Sequence, residues 1–83
     1  MKKRKMLKKI LMSMKNVSFK DMQLLAEYYG FDLDRINGSH HIYVHPKIEE
    51  LVNIQNVKGK TKPYQIRQFL SLVERYNLQL GED

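Results

Sequence analysis

The sequence predicts a small α+β domain in which helices cover one face of a three-stranded antiparallel sheet. Two observations lead to this fold class. Apolar residues recur every three or four positions near both ends of the chain, whereas they alternate with polar residues across the middle. The length of 83 residues suits one domain with one core, which can fold without disulfides or a metal ion.

Two helices are predicted before the sheet. Apolar residues at helical spacing, with lysines between them, predict a basic amphipathic helix over residues 3–14. Ser18 and Asp21 have the spacing of a capping box, so a second helix is expected to begin there. Gly30 suits the position just after that helix, because glycine readily adopts a positive φ.

The alternating segment that follows predicts a β-hairpin. Asn37-Gly38 is typical of a two-residue type I′ turn. With these two residues at the centre of the turn, Arg35 lies opposite His40. The same register turns an apolar set toward the helices and leaves polar pairs on the open face, as a half-buried sheet requires. That apolar set is Phe31, Leu33, Ile42 and Val44.

A third strand and a last helix complete the fold. Residues 51–55 alternate again, and residues 56–62 form a basic loop. Pro63 suits the first position of a helix that fades near Tyr76. The resulting order is α-α-β-β-β-α. Two helices on one face of a three-stranded meander resemble the double-stranded-RNA-binding fold.

The basic charge is concentrated in two places. The net charge is +6, and every charged residue among residues 1–15 is basic. We expect residues 1–15 to be a basic N-terminal helix or extension, and residues 16–83 to be a single domain. A second local excess comprises Lys58, Lys60, Lys62 and Arg67. Nucleic acid is the natural partner of such patches, although the N-terminal run alone fits a solvated face equally well.

The composition excludes several kinds of site. The chain contains no cysteine, so it has no disulfide, no thiolate zinc site and no cysteine nucleophile. Lys8 and Lys9 interrupt the apolar N-terminal run, which therefore fits neither a signal peptide nor a membrane span. We expect a cytoplasmic protein without a cofactor.

The three histidines lie close together in the sequence. His41 and His45 share one face of the predicted strand but lie about 13 Å apart, too far to hold one small ion between them. His40 points to the opposite face, so no metal site is expected. His41 is expected to pair with Asp34 across the hairpin. Tyr43 and His45 would lie on the open face, where they could stack on bases, contact a partner protein or simply be solvated.

His40 and Arg35, which are predicted to lie opposite each other, are the candidate catalytic pair. A neighbouring guanidinium disfavours the charged form of a histidine, so His40 should be able to accept a proton at neutral pH. Arg35 could hold a phosphate through two parallel hydrogen bonds. A base beside such an anion clamp suits cleavage of an RNA phosphodiester. From the residues alone, a structural histidine remains the preferred alternative.

Two longer segments resemble a known family. LLAEYYGFDLDRINGSHHIYVHP and the later LVNIQNVKGKTKPYQIRQFL are similar to the HicA family of mRNA interferase toxins. Gly38-Ser39-His40 is the most specific part of a match that covers roughly residues 18–77. The resemblance implies metal-independent RNA cleavage by the histidine after Gly-Ser, here His40, and a HicB antitoxin that covers the site. Many members have Pro-x-His where this chain has residues 53–56.

The expected function is that of an endoribonuclease toxin of a type II toxin–antitoxin system, with His40 as the catalytic residue. The residues expected to bind RNA are Arg35, Ser39, Lys58, Lys60, Lys62 and Arg67. Tyr64, a lysine of the basic loop or water would protonate the leaving oxygen. Two alternatives remain open. One is a non-catalytic RNA-binding module of the same fold, and the other is an interaction protein whose basic surface binds an acidic partner.

Overall fold

The helices and strands follow one another in the predicted order. A computed structural model describes residues 2–81. Its elements are α1 (Lys2–Met12), a short 3₁₀ helix (Met14–Asn16), α2 (Phe19–Tyr28), β1 (Asp32–Asn37), β2 (His40–Val44), β3 (Val52–Gln55) and α3 (Pro63–Arg75). The strands form one antiparallel sheet in the order β1-β2-β3. The predicted α+β fold with a three-stranded sheet is confirmed.

Local signals in the sequence account for the ends of the helices. The Ser18 hydroxyl oxygen accepts a hydrogen bond of 3.0 Å from the backbone N–H of Asp21, as the capping box predicts. Gly30 follows the end of α2 with a φ of 94°, which glycine adopts without strain. Pro63 is the first residue of α3, where its missing N–H costs no helical hydrogen bond.

The hairpin turn differs from the prediction. Asn37 pairs with His40, so the central residues of the turn are Gly38 and Ser39. Gly38 has a φ of 62°. Glycine with positive φ at the first central position is typical of a type II′ turn. The expectation of a type I′ turn centred on Asn37 and Gly38 is therefore wrong.

The two faces of β2 are also exchanged relative to the prediction. Tyr43 is completely buried beneath the helices and pairs with the buried Val52 of β3. His40 and Ile42 lie on the opposite, open face of the sheet, because neighbouring residues of a strand alternate between faces. Both were predicted on the helix-covered face, and that prediction is wrong. Arg35 lies opposite Ile42, not opposite His40.

The buried hydrophobic residues of the described chain form one cluster between the sheet and the helices. The largest fully buried side chains are Tyr43, Phe31, Phe69, Ile10, Met22, Leu25, Ile54 and Ile66. Ile10 belongs to α1 and is 1% exposed, so the basic N-terminal helix packs into the same core as α2 and α3. Within residues 2–81, every helix is too short or too polar to cross a membrane.

Candidate functional site

His45 is held by the backbone through both of its ring nitrogens. Its Nδ1 accepts a hydrogen bond of 3.1 Å from the Lys47 N–H, and its Nε2 lies 3.1 Å from the carbonyl oxygen of Tyr29. The ring packs edge-on against Phe31, with centroids 5.0 Å apart. His45 therefore joins the end of β2 to the end of α2 and is a structural residue. Its predicted place on the open face is wrong.

His41 and Tyr43 lie on the helix-covered face. The His41 ring centroid is 4.6 Å from that of Phe19, and His41 pairs across the hairpin with Ile36. The predicted pairing of His41 with Asp34 is wrong. Burial raises the pKa of the Tyr43 hydroxyl, which therefore stays uncharged at neutral pH. Tyr43 is in the core and cannot form the predicted stacking surface for bases.

Of the three histidines, only His40 lies on the open face. It directly follows the turn, and its Nδ1 lies 3.0 Å from Oδ1 of Asn53 on β3. An amide oxygen can only accept a hydrogen bond, so this contact requires the hydrogen on Nδ1. The lone pair of the neutral ring is then on Nε2, which has no hydrogen-bond partner among residues 2–81. Nε2 is therefore available as a base.

Gln65 of α3 fixes the strand that carries Asn53. Its side chain is buried; Oε1 accepts a hydrogen bond of 2.9 Å from the Gln55 N–H, and Nε2 donates one of 3.4 Å to the Asn53 carbonyl oxygen. These bonds satisfy two backbone groups on the edge of β3 that faces away from β2. Neither Asn53 nor Gln65 was predicted as a site residue, because both roles depend on which strands and helices become neighbours.

Arg35 lies on the open face but is not the direct neighbour of His40. Its guanidinium Nη1 forms a salt bridge of 2.6 Å with Oδ2 of Asp34. Asp34 is an extra residue of β1, where the pairing shifts between Leu33 and Arg35. Because Arg35 pairs with Ile42, it is a diagonal neighbour of His40, a position at which residues on adjacent strands typically lie about 7–8 Å apart. Direct cross-strand contact was predicted. That prediction is wrong.

The basic loop, residues 56–62, lies beside the turn that precedes His40. The Asn56 N–H donates a hydrogen bond of 2.9 Å to the carbonyl oxygen of Ser39. On its other side the Gly59 carbonyl oxygen accepts one of 2.8 Å from the N–H of Phe19, at the start of α2. The exposed bases of this loop are Lys58, Lys60 and Lys62. The structure therefore places them at the same end of the sheet as His40.

A groove of about 550 Å³ runs between β3 and α3. Its lining includes Asn53, Tyr64 and Arg67, and the latter two are exposed. His40 does not line this groove, but its hydrogen-bond partner Asn53 does. Among the residues that the structure describes, there is no cluster of three or more histidine, aspartate or glutamate side chains with the arrangement of a metal site.

Comparison with known proteins identifies the family. A family model described as the HicA toxin of bacterial toxin–antitoxin matches residues 19–73, which is more than half of the chain. The matched segment contains α2, the whole sheet, the basic loop and most of α3. No curated protein and no solved structure matches the chain significantly. The chain therefore belongs to the HicA toxin family and is the toxin of a toxin–antitoxin pair.

Proposed function

We propose that the chain is a metal-independent endoribonuclease, an mRNA interferase in which His40 is the general base. The observation that supports this most is the contact of 3.0 Å between His40 Nδ1 and Asn53 Oδ1, which leaves the lone pair of Nε2 free on the open face. A neutral imidazole held in one tautomer is well suited to accept a proton near neutral pH. Membership in the HicA toxin family favours RNA as the substrate.

The reaction begins with transfer of a 2′-hydroxyl proton of the RNA to Nε2 of His40. O2′ then bonds to the adjacent phosphorus, and the bond from phosphorus to O5′ breaks. The products are a 2′,3′-cyclic phosphate and a 5′-oxygen that takes up a proton. Nearby cations stabilise the charge that develops on the phosphoryl oxygens. Tyr64 lines the groove next to Asn53 and is a candidate donor of the final proton, as are a loop lysine and water.

We assign phosphate binding to exposed side chains in three places on the domain that carries His40. Arg35 lies along the open face of β1, the basic loop lies beside the turn, and Arg67 lies in the groove on the outer side of β3. The full set is Arg35, Ser39, Lys58, Lys60, Lys62 and Arg67. Their exposure supports this assignment, since each can reach a polyanion without rearrangement of the core.

We propose that the antitoxin partner is of the HicB type and covers His40. The open face carries Ile42 and Val44, which are only half-buried and offer apolar area to a bound protein. A protein seated there would keep RNA away from Nε2. We also propose that the chain acts in the cytoplasm, together with its RNA substrate.

The proposed activity is tested by incubating the purified chain with a defined single-stranded RNA in excess EDTA. Cleavage is expected to persist, because proton transfer is assigned to His40 and phosphate binding to lysine and arginine. Loss of cleavage in EDTA, with recovery on adding magnesium or zinc, would contradict the metal-independent mechanism. RNA binding without any cleavage would instead favour the non-catalytic RNA-binding module.

A further inference from the structure

The outer face of α1 is a basic surface that the family match does not include. The match begins at residue 19, after α1 has ended. Ile10 is buried in the core, and Met6 and Leu7 pack against it. The exposed bases on the other side of the helix are Lys2, Arg4, Lys5, Lys8 and Lys9. We call this set the α1 basic face.

Apart from Lys9, the charges of the α1 basic face do not stabilise the helix. Arg4 and Lys8 are four residues apart, as are Lys5 and Lys9, and like charges at this spacing repel. The first turn contains no acid, and its bases oppose the helix dipole. Lys9 pairs with Asp21 at 3.0 Å, but Arg4, Lys5 and Lys8 form no salt bridge within residues 2–81. A polyanion outside the chain would relieve this repulsion.

The α1 basic face continues from the basic loop. Lys60 Nζ donates a hydrogen bond of 3.4 Å to Oδ1 of Asn16, in the short 3₁₀ helix that follows α1. Lys9 reaches the start of α2, and Lys3 lies over the ring of Tyr28 at its end, so α1 runs antiparallel to α2. The bases therefore extend from the loop along the length of α1, about 16 Å at 1.5 Å per residue.

We propose that the α1 basic face binds the phosphate backbone of the RNA whose scissile phosphate lies at His40. This inference rests on the proposed ribonuclease function and extends its substrate-binding surface. A membrane is disfavoured as the occupant, because a helix that binds lipid inserts its apolar side, and here that side holds Ile10 in the core. An acidic protein is disfavoured because every charged residue of α1 is a base, so the helix provides no acidic group to fix the register of a partner.

The test measures the affinity for a single-stranded RNA over a series of salt concentrations. All proteins carry His40→Ala, so the RNA stays intact during the measurement. The variant Arg4→Gln/Lys5→Gln/Lys8→Gln is expected to reduce the slope of log affinity against log salt by about 2, since each phosphate contact on a single strand contributes roughly 0.7. The matched control, Lys5→Arg/Lys8→Arg, keeps the charge and is expected to keep the slope. Circular dichroism confirms that each variant is folded.

The possible results separate this inference from the proposed function. An unchanged slope in the glutamine variant overturns the inference alone, because RNA is still bound through other residues. Weaker binding of the glutamine variant than of the His40→Ala protein to anionic phospholipid vesicles or to an acidic protein, together with an unchanged slope, overturns the inference and identifies the true occupant. Absence of RNA binding by the His40→Ala parent overturns both the inference and the proposed ribonuclease.

Discussion

Replacing His40 with alanine is expected to abolish RNA cleavage and growth inhibition while the domain stays folded. Loss of a general base lowers a reaction rate by roughly 10²–10⁴-fold. His40 lies on the open face and is not part of the hydrophobic core. The loss of stability is therefore limited to the hydrogen bond with Asn53, about 1 kcal/mol. Cleavage rate, growth of expressing cells and circular dichroism are the measurements.

The neighbouring histidine provides the matched control for His40. His41 packs against Phe19 on the other face of the sheet, so His41→Ala should lower the free energy of unfolding by about 1–3 kcal/mol and leave the cleavage mechanism intact. If the His40→Ala protein is folded and cleaves RNA at the rate of the unaltered chain, His40 has no part in the mechanism.

Asn53 is expected to be a positioning residue for His40. Replacing it with alanine removes the acceptor that holds the hydrogen on Nδ1. The rate constant for cleavage should fall about tenfold, which corresponds to a hydrogen bond of about 1.4 kcal/mol. Asn53→Asp keeps an acceptor at the same place and should restore much of the rate. Its carboxylate favours the charged imidazole, so the pH below which cleavage declines should move upward. Single-turnover pH–rate profiles measure both effects.

Gln55→Ala is the matched control for the Asn53 variants. Gln55 is on the same strand and the same face, but its side chain bonds to Ser39 instead of the His40 ring. The acidic limb of its pH–rate profile should therefore stay in place. Equal rates for Asn53→Ala and the unaltered chain, or an unshifted acidic limb for Asn53→Asp, would show that Asn53 does not orient His40.

The helices could be predicted from the sequence because their signals are local. The Ser18 cap, Gly30 after α2 and Pro63 at the start of α3 each depend on residues within one turn of the helix. Alternation also identified three strands, which the structure confirms.

The register of the hairpin could not be predicted in the same way. Asn37-Gly38 and Gly38-Ser39 are both acceptable two-residue turns, since Gly38 can serve at either central position. Alternation in β2 does not decide which of its faces is buried, because Tyr43 on one face and Ile42 on the other are both apolar. Moving the turn by one position shifts the pairing by two residues and leaves each side chain on its face, whereas the extra residue Asp34 in β1 changes the pairing by one residue and brings Tyr43 opposite Leu33. Here the larger Tyr43 ring fills the core, and Ile42 stays half-buried outside.

The error in the register changed the identity of the residue beside His40. The sequence placed Arg35 there, whereas the structure places Asn53 of β3 there. Contacts between β2 and β3 depend on the length and path of the connection between them, which alternation does not describe. His40 itself was predicted as the base because of its expected pairing with Arg35, which is wrong, and because of the family resemblance at Gly38-Ser39-His40.

The central claim is that His40 removes the proton of a 2′-hydroxyl, so that O2′ attacks the neighbouring phosphorus. The most direct test is to identify the terminal groups of the RNA products. Mass spectrometry of a short defined RNA after cleavage measures them. We predict a 5′-hydroxyl on the downstream fragment and a 2′,3′-cyclic phosphate on the upstream one, with no cleavage when the 2′-hydroxyl at the scissile position is replaced by hydrogen. A 5′-phosphate with a 3′-hydroxyl would mean that water attacks phosphorus, and it would contradict the assigned role of His40.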